Sequence, residues 1–309
     1  MKKFLFPACI TFFLMLLLFI PQPSLEGARY GLALWMDSVV PTLLPFMILS
    51  GVLMKGGLIK SLMRFFTPAG RLLFGIDSYG TYSLLAGFFC GYPMGAKTIA
   101  DLRRQDLMGH AQAAYLLNFC NNVSPAFVIT FLVLQNIKAP QLMGPVLVII
   151  FGAPVLYGMV SGAKYRPLMK KEVKTVKEKA SPVRIDFGLI DACILDSVIT
   201  VTKLGAYIIM FSIIARLVRE LPFLSGIWAA SIAGVTEVTT GIQAVSEAFA
   251  GNALCIPALA AVTSFGGLSA LAQTESMLNG TDLKILPYLV SKIIISALAF
   301  TLALIFVHG

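Results

Sequence analysis

Four short polar stretches interrupt long apolar runs, and they hold the residues whose types could do chemistry. The first is "GYPMGAK" at 91–97, with Pro93 and Lys97. The second is "NFCNNVSP" at 118–125, with Asn118, Asn121, Asn122 and Ser124 ahead of Pro125. The third is "GVTEVTTG" at 234–241, with Thr236, Glu237, Thr239 and Thr240. The fourth is "SFGG" at 264–267, with Ser264, Gly266 and Gly267. None contains a nucleophile–base pair or a metal-ligand cluster, so the chemistry on offer is binding. A helix that starts inside a bilayer presents free N–H groups and the positive end of its dipole, which suit anionic or polar groups. Carbonyls freed at a break suit cations or donors. These thirteen residues are the candidate substrate contacts, with Gln243, Ser269 and Gln273 as neighbouring polar groups.

Each has a plainer reading. Pro93 fits the first turn of a returning half-helix, where its missing N–H costs nothing. Lys97 lies about six residues past the turn, roughly 9 Å along a helix, within snorkelling distance of a membrane surface. The asparagines and Ser124 could satisfy backbone groups freed by Pro125. Gly266 and Gly267 could serve tight helix packing. Glu237 is the costliest, since an intramembrane carboxylate is expensive and usually functional. Lys203, deep within a span, is a candidate partner for Glu237 or for an anionic ligand; Lys292, nearer a span end, reads as an anchor; Glu275 and Asp282 read as solvated.

The elements that must position these residues are membrane helices. Of 309 residues 58% are hydrophobic and 13% charged, about half the charge of a soluble domain. Apolar runs at 4–20, 39–59, 140–162, 192–217 and 285–307 are long enough to span, or nearly so. Residues 4–20 read as an uncleaved first span rather than a signal peptide, because the apolar run is long and no clean A-x-A site follows. Residues 21–38 read as a polar connector, 60–78 as an interfacial stretch, and 163–185 as a basic loop. The five cysteines have no CxxC spacing and read as buried small apolar residues. The net charge of +9 forms no basic stripe interleaved with aromatics, so nucleic acid is not an expected partner.

The broken runs at 79–104, 111–136, 225–249 and 253–278 come in matched pairs. Gly91 to Asn121 spans 30 positions, Gly234 to Ser264 another 30, and the offset between halves is 143. Residue identity between the halves is weak, so the repeat is one of hydropathy and breakers. If the first broken run of each half is a re-entrant hairpin, each half crosses three times and the second half is inverted. The expected fold is therefore an all-α polytopic membrane protein: an N-terminal anchor and connector (1–30), a first repeat (31–162), a basic cytoplasmic loop (163–190) and a second repeat (191–309). With the N-terminus cytoplasmic, 18 of the 24 lysines and arginines fall on that side. Arg29, Lys138, Arg216 and Arg219 fall on the other, which satisfies the positive-inside rule.

Several stretches resemble the sporulation integral membrane protein YlbJ (SpoVV) family, within the nucleoside-recognition or Gate group: "GLALWMDSVVPTLLPFMILSGVL", "GFFCGYPMGAKTIADLRRQ", "LLNFCNNVSPAF", "GVTEVTTG" and "SFGGLSALAQ". The Gate group in turn is similar to concentrative nucleoside transporters, whose two hairpins and two unwound helices enclose the ligand. The resemblance implies a transporter, and for the YlbJ family a cargo of dipicolinic acid across the outer forespore membrane. A pyridine dicarboxylate suits half-helix N-termini and a lysine; it suits Glu237 only if that residue is protonated, paired or carries a coupled proton. Two other readings stay open: a nucleoside or cation carrier of related fold, and a non-transporting Gate-domain component acting with a partner. An enzyme is not expected, nor is a cofactor. The coupling ion (proton or sodium) and homo-oligomerisation are left open; the expected partners are a small anionic substrate and the lipid bilayer.

Overall fold

A computed structural model describes residues 2–172, 186–219, 224 and 226–308. No strand occurs among them. The helices are α1 (Lys2–Phe19), α2 (Pro21–Leu34), α3 (Val40–Lys55), α4 (Ile59–Leu62), α5 (Thr67–Phe74), α6 (Ser78–Cys90), α7 (Met94–Arg104), α8 (His110–Cys120) and α9 (Pro125–Phe127). They continue with α10 (Met143–Glu172), α11 (Phe187–Arg219), α12 (Gly226–Thr236), α13 (Val238–Ala248), α14 (Cys255–Phe265), α15 (Gly267–Leu278) and α16 (Ile285–His308). π-Helical turns at Trp35–Val39 and Val128–Ile137 join α2 to α3 and extend α9.

Six stretches among the described residues are long and apolar enough to cross a membrane: Pro21–Lys55, His110–Ile137, Pro140–Glu172, Phe187–Arg219, Cys255–Leu278 and Ile285–His308. Helix α1, 18 residues long, covers the run expected as the N-terminal span. The all-helical, polytopic architecture is as the sequence predicts.

The expected connector at 21–38 is helical instead. Pro21 and Pro23 sit at the helix start, where proline is tolerated. Gly27 and Gly31 then let α2 lie against the backbone of α11: a Cβ on either would come within 2.8 Å of Ile213 or Ile209 Cα. One turn on, Trp35 covers Gly205 and donates from Nε1 to the Val201 carbonyl at 2.8 Å. The π turn falls where Pro41 has no N–H to return to Asp37, so the helix widens rather than stops. The basic loop also starts later than predicted. Helix α10 runs on to Glu172, whose carboxylate accepts from Ala111 N at 2.8 Å. Residues 173–185 lie outside the described residues.

Two helix pairs fold back on themselves. At Gly91 (φ +85°) the chain turns from α6 into α7, and a Cβ on Gly87 would lie 3.0 Å from Gly95 Cα. At Glu237 it turns from α12 into α13, where Gly241 abuts Gly234 Cα. Residues seven or eight apart on one straight helix would stand roughly 10–12 Å apart, so each pair is a hairpin whose arms touch through glycine. Each half then continues in one order: hairpin, short helix, break, second short helix, long span. The stretch between α3 and the first hairpin, predicted as interfacial, holds the short helices α4 and α5. Of the cysteines whose side chains are described, Cys120 and Cys193 are buried and Cys90 and Cys255 half-buried, all as free thiols; the Cys9 side chain lies outside the described residues.

Candidate binding centre

The two hairpin tips and the breaks after α8 and α14 converge. Within the first half, a Cβ on Gly91 would lie 2.9 Å from Ser124 N, and one on Gly95 would lie 3.1 Å from Asn121 Cα. Within the second, a Cβ on Gly267 would lie 3.1 Å from Glu237 Cα. Between halves, the Tyr92 hydroxyl rests against Gly266, 2.8 Å from where a Cβ would stand. Gly266 and Gly267 have φ of +85° and +80°, open to glycine at little cost, and both stand where another chain segment comes close.

Asn121 is the knot, fully buried. Its Nδ2 donates to Thr274 Oγ1 at 2.9 Å and Tyr288 Oη at 3.1 Å, and its Oδ1 accepts from Ala96 N at 3.3 Å. The N-terminus of α7 is thus capped by a side chain from the neighbouring break. Asn122 donates to the Phe119 carbonyl at 2.8 Å. Asn118, one turn back, donates to Tyr165 Oη at 3.1 Å. Ser124 caps α9 through Phe127 N at 3.2 Å.

Sequence reasoning missed Lys292. Predicted as an anchor, it is 2% exposed and points into the centre. Its Nζ donates to Asn121 O and Asn122 Oδ1, both at 3.3 Å, and stands 5.9 Å from the centre of the Tyr92 ring. Among the described residues no carboxylate pairs with it. Distance from the helix end misleads here because the side chain follows the face of α16, not its depth. Tyr288, Lys292, Ile295 and Ala299 form one buried stripe at helical spacing. A lysine flanked by Tyr288 and Ser291 on the stripe that continues into Ala299 was the available signal.

Glu237 is 3% exposed and is the N-cap of α13. Its carboxylate accepts from Thr239 N at 3.1 Å, Thr240 N at 2.8 Å and the Thr239 hydroxyl. It therefore fills the dipole end that an anion would otherwise occupy. The predicted pairing with Lys203 is not formed: Lys203 is exposed on the outer face of α11. Lys97 is buried, and its ammonium is held by Asp196 at 2.9 Å and Asp101 at 3.2 Å. Pro93 stands one position earlier than predicted, as N-cap of α7, and its carbonyl accepts from Lys97 N at 2.8 Å. Thr236 donates to its own helix at Ile232 O, and Gln273 donates to Ser269 Oγ.

Four buried hydroxyls at or beside these breaks lack a hydrogen-bond partner among the described residues: Tyr92 Oη, Thr240 Oγ1, Thr263 Oγ1 and Ser264 Oγ. An unsatisfied buried polar group costs about 1–3 kcal/mol, so such a cluster is rarely idle. Clefts approach from both ends. One of about 520 Å³ is lined by Asn118, Tyr165, His110 and Asp282. Another of about 240 Å³ is lined by Thr240, Ser212, Arg216 and Arg219. Asp196, which meets Lys97, and Arg216 of the second cleft lie about 30 Å apart along α11 at 1.5 Å per residue; Arg103, farther out on α7 than Lys97, reaches Asp282 of the first cleft, so the clefts belong to opposite ends.

Fold and centre together define a polytopic integral membrane protein whose apolar helices enclose a polar, cation-bearing core. The particular relationship is with a sporulation protein: the chain is 24% identical over 318 aligned residues to the "Sporulation integral membrane protein YlbJ" of Bacillus subtilis (strain 168), covering 89% of this chain and 75% of the relative. It is a homologue of that protein, as the resemblance implied. No family model matches the chain, and no solved structure does.

Proposed function

We propose that the chain is a membrane carrier of small organic anions, bound where the two hairpin tips meet the two helix breaks. The observation that carries this is Lys292: a buried ammonium with only two long hydrogen bonds to neutral oxygens and no carboxylate beside it. A buried charge without a counter-charge is costly and in membrane helices usually marks a substrate or ion path. A carboxylate supplied by a ligand would complete it, with the Tyr92 hydroxyl as a second donor. The paired breaks support transport rather than scaffolding, because non-helical backbone at membrane depth is tolerated inside protein or beside water. Clefts reaching Asn118 from one end and Thr240 from the other fit alternating access.

The YlbJ resemblance favours dipicolinic acid as the cargo, and the outer forespore membrane, with the N-terminus and basic loop cytoplasmic, as its setting. The test is uptake of dipicolinate and of uridine into proteoliposomes by wild type, Lys292→Met and Lys292→Arg. Dipicolinate uptake by wild type, cut at least tenfold in Lys292→Met and partly kept in Lys292→Arg, is expected. Uridine uptake alone would make the protein a nucleoside carrier. No uptake of either by folded, monodisperse protein would point to a non-transporting component.

A further inference from the structure

The strap between α3 and the first hairpin carries a separate site. Helices α4 and α5 border an open cleft of about 680 Å³ lined by Lys60, Arg64, Arg71, Thr67 and Ser78, with no carboxylate in its wall. Arg64 and Arg71 are exposed and form no ion pair among the described residues. The nearest acidic residue in sequence, Asp77, is turned away. Its carboxylate accepts from Gly80 N at 2.8 Å and Gln112 Nε2 at 2.7 Å, capping α6. Thr67 donates its one hydroxyl proton to the Met63 carbonyl at 2.8 Å, and its oxygen lies 3.1 Å from Ser78 Oγ, within hydrogen-bond reach.

The strap is fixed in place. Gly70 packs directly on Thr81 of α6, and Arg166 of α10 donates to the Leu73 carbonyl at the end of α5. The cations are thus held together by tertiary contacts. Around them stand fully displayed apolar side chains: Phe65 is 84% and Leu72 79% exposed, with Leu62 and Leu73 also outward. A free phosphate would use the cations and leave that apolar rim in water. A lipid uses both.

We propose that this cleft binds the phosphate headgroup of an anionic phospholipid, with Arg64 and Arg71 on the phosphate and Phe65 and Leu72 against the acyl chains. Arginine suits the role because its planar fork pairs two phosphate oxygens at once. Cationic sites beside membrane helices recognise such headgroups by the same electrostatics. The site is independent of the proposed transport activity.

The test uses the full chain in neutral detergent, titrated with dioctanoyl-phosphatidylglycerol, dioctanoyl-phosphatidylcholine or inorganic phosphate, and reads the rise in melting temperature. Phosphatidylglycerol is expected to stabilise wild type at tenfold or more lower concentration than phosphatidylcholine, with inorganic phosphate ineffective. Arg64→Gln/Arg71→Gln is expected to abolish that preference. Lys164→Gln/Lys170→Gln, which removes as much charge elsewhere, is expected to keep it. Native mass spectrometry counts retained phosphatidylglycerol in each variant and reads the site even if a melting temperature shifts for other reasons. Equal preference in the Arg64→Gln/Arg71→Gln protein, or equal loss in the control, would overturn the proposal. Stabilisation by inorganic phosphate equal to that by phosphatidylglycerol would show a soluble-anion site instead.

Discussion

Glu237 shows how one side chain can settle the local structure of a break. A glutamate after an apolar helix would ordinarily be a liability in a membrane, but here its carboxylate accepts from two helix-start N–H groups that the turn leaves without partners, and from the Thr239 hydroxyl. Glu237→Ala leaves two N–H groups and a buried hydroxyl without an acceptor. It is expected to cost about 1–2 kcal/mol, within the range of lost N-caps, whereas Glu237→Gln, which keeps one acceptor oxygen, costs less. Melting temperatures in detergent should therefore fall in the order wild type, Gln, Ala. Glu237 and Asn121 were legible in the sequence because they stand at breaks, where polarity in an apolar run is conspicuous. Lys292 was not legible as a centre residue. It lies in an unbroken span, and hydropathy reports depth along a helix but not which neighbour its face meets. Tyr92 went unremarked for a related reason: its importance comes from Gly266, 174 positions away.

Among the elements, the hairpins are the most demanding, since their arms approach to backbone contact. A side chain at Gly241 would collide with Gly234 itself, which cannot yield as a flexible side chain can. Gly241→Val is expected to destabilise by 2 kcal/mol or more, as overpacking does at rigid sites, and to lower the yield of monodisperse protein. Gly152, in α10, faces nothing within 4 Å. Gly152→Ala should be neutral or stabilise by up to about 1 kcal/mol through helix propensity. Thermal unfolding of the two variants checks both. The turns at 91–97 and 234–241 were visible beforehand as glycines with proline or polar residues inside apolar runs. The helix over 21–34 was hidden because glycine and proline also mark connectors; only the groove of α11 shows that Gly27 and Gly31 serve close packing.

For the molecule as a whole, the two halves are joined at their basic end as well as at the centre. Arg103, at the end of α7, pairs with Asp282 at 3.0 Å, and His110 approaches the same carboxylate at 3.0 Å. The hydrogen bond from Arg103, followed by the charges of Arg103 and His110, holds Asp282 below the ordinary aspartate value. A depressed carboxyl stabilises the fold above its unfolded value, about 3.9, and that contribution disappears as pH falls through the lower folded value. Asp282→Asn should therefore lower the melting temperature slightly at pH 7, by less than about 1 kcal/mol for so exposed a pair. The difference from wild type should shrink as pH falls below the unfolded value and through the lower folded one. The positions of the breaks were legible in the sequence, but the contacts that tie one half to the other were not, because a single chain carries no record of which distant residues meet. Those ties have a consequence for synthesis. Asn121 takes its partners from Thr274, Tyr288 and Lys292, which lie 153, 167 and 171 positions later. The first half must therefore enter the membrane with Asn121 Nδ2 and its main-chain carbonyl unanswered, and it stays unfinished until the last helix is delivered.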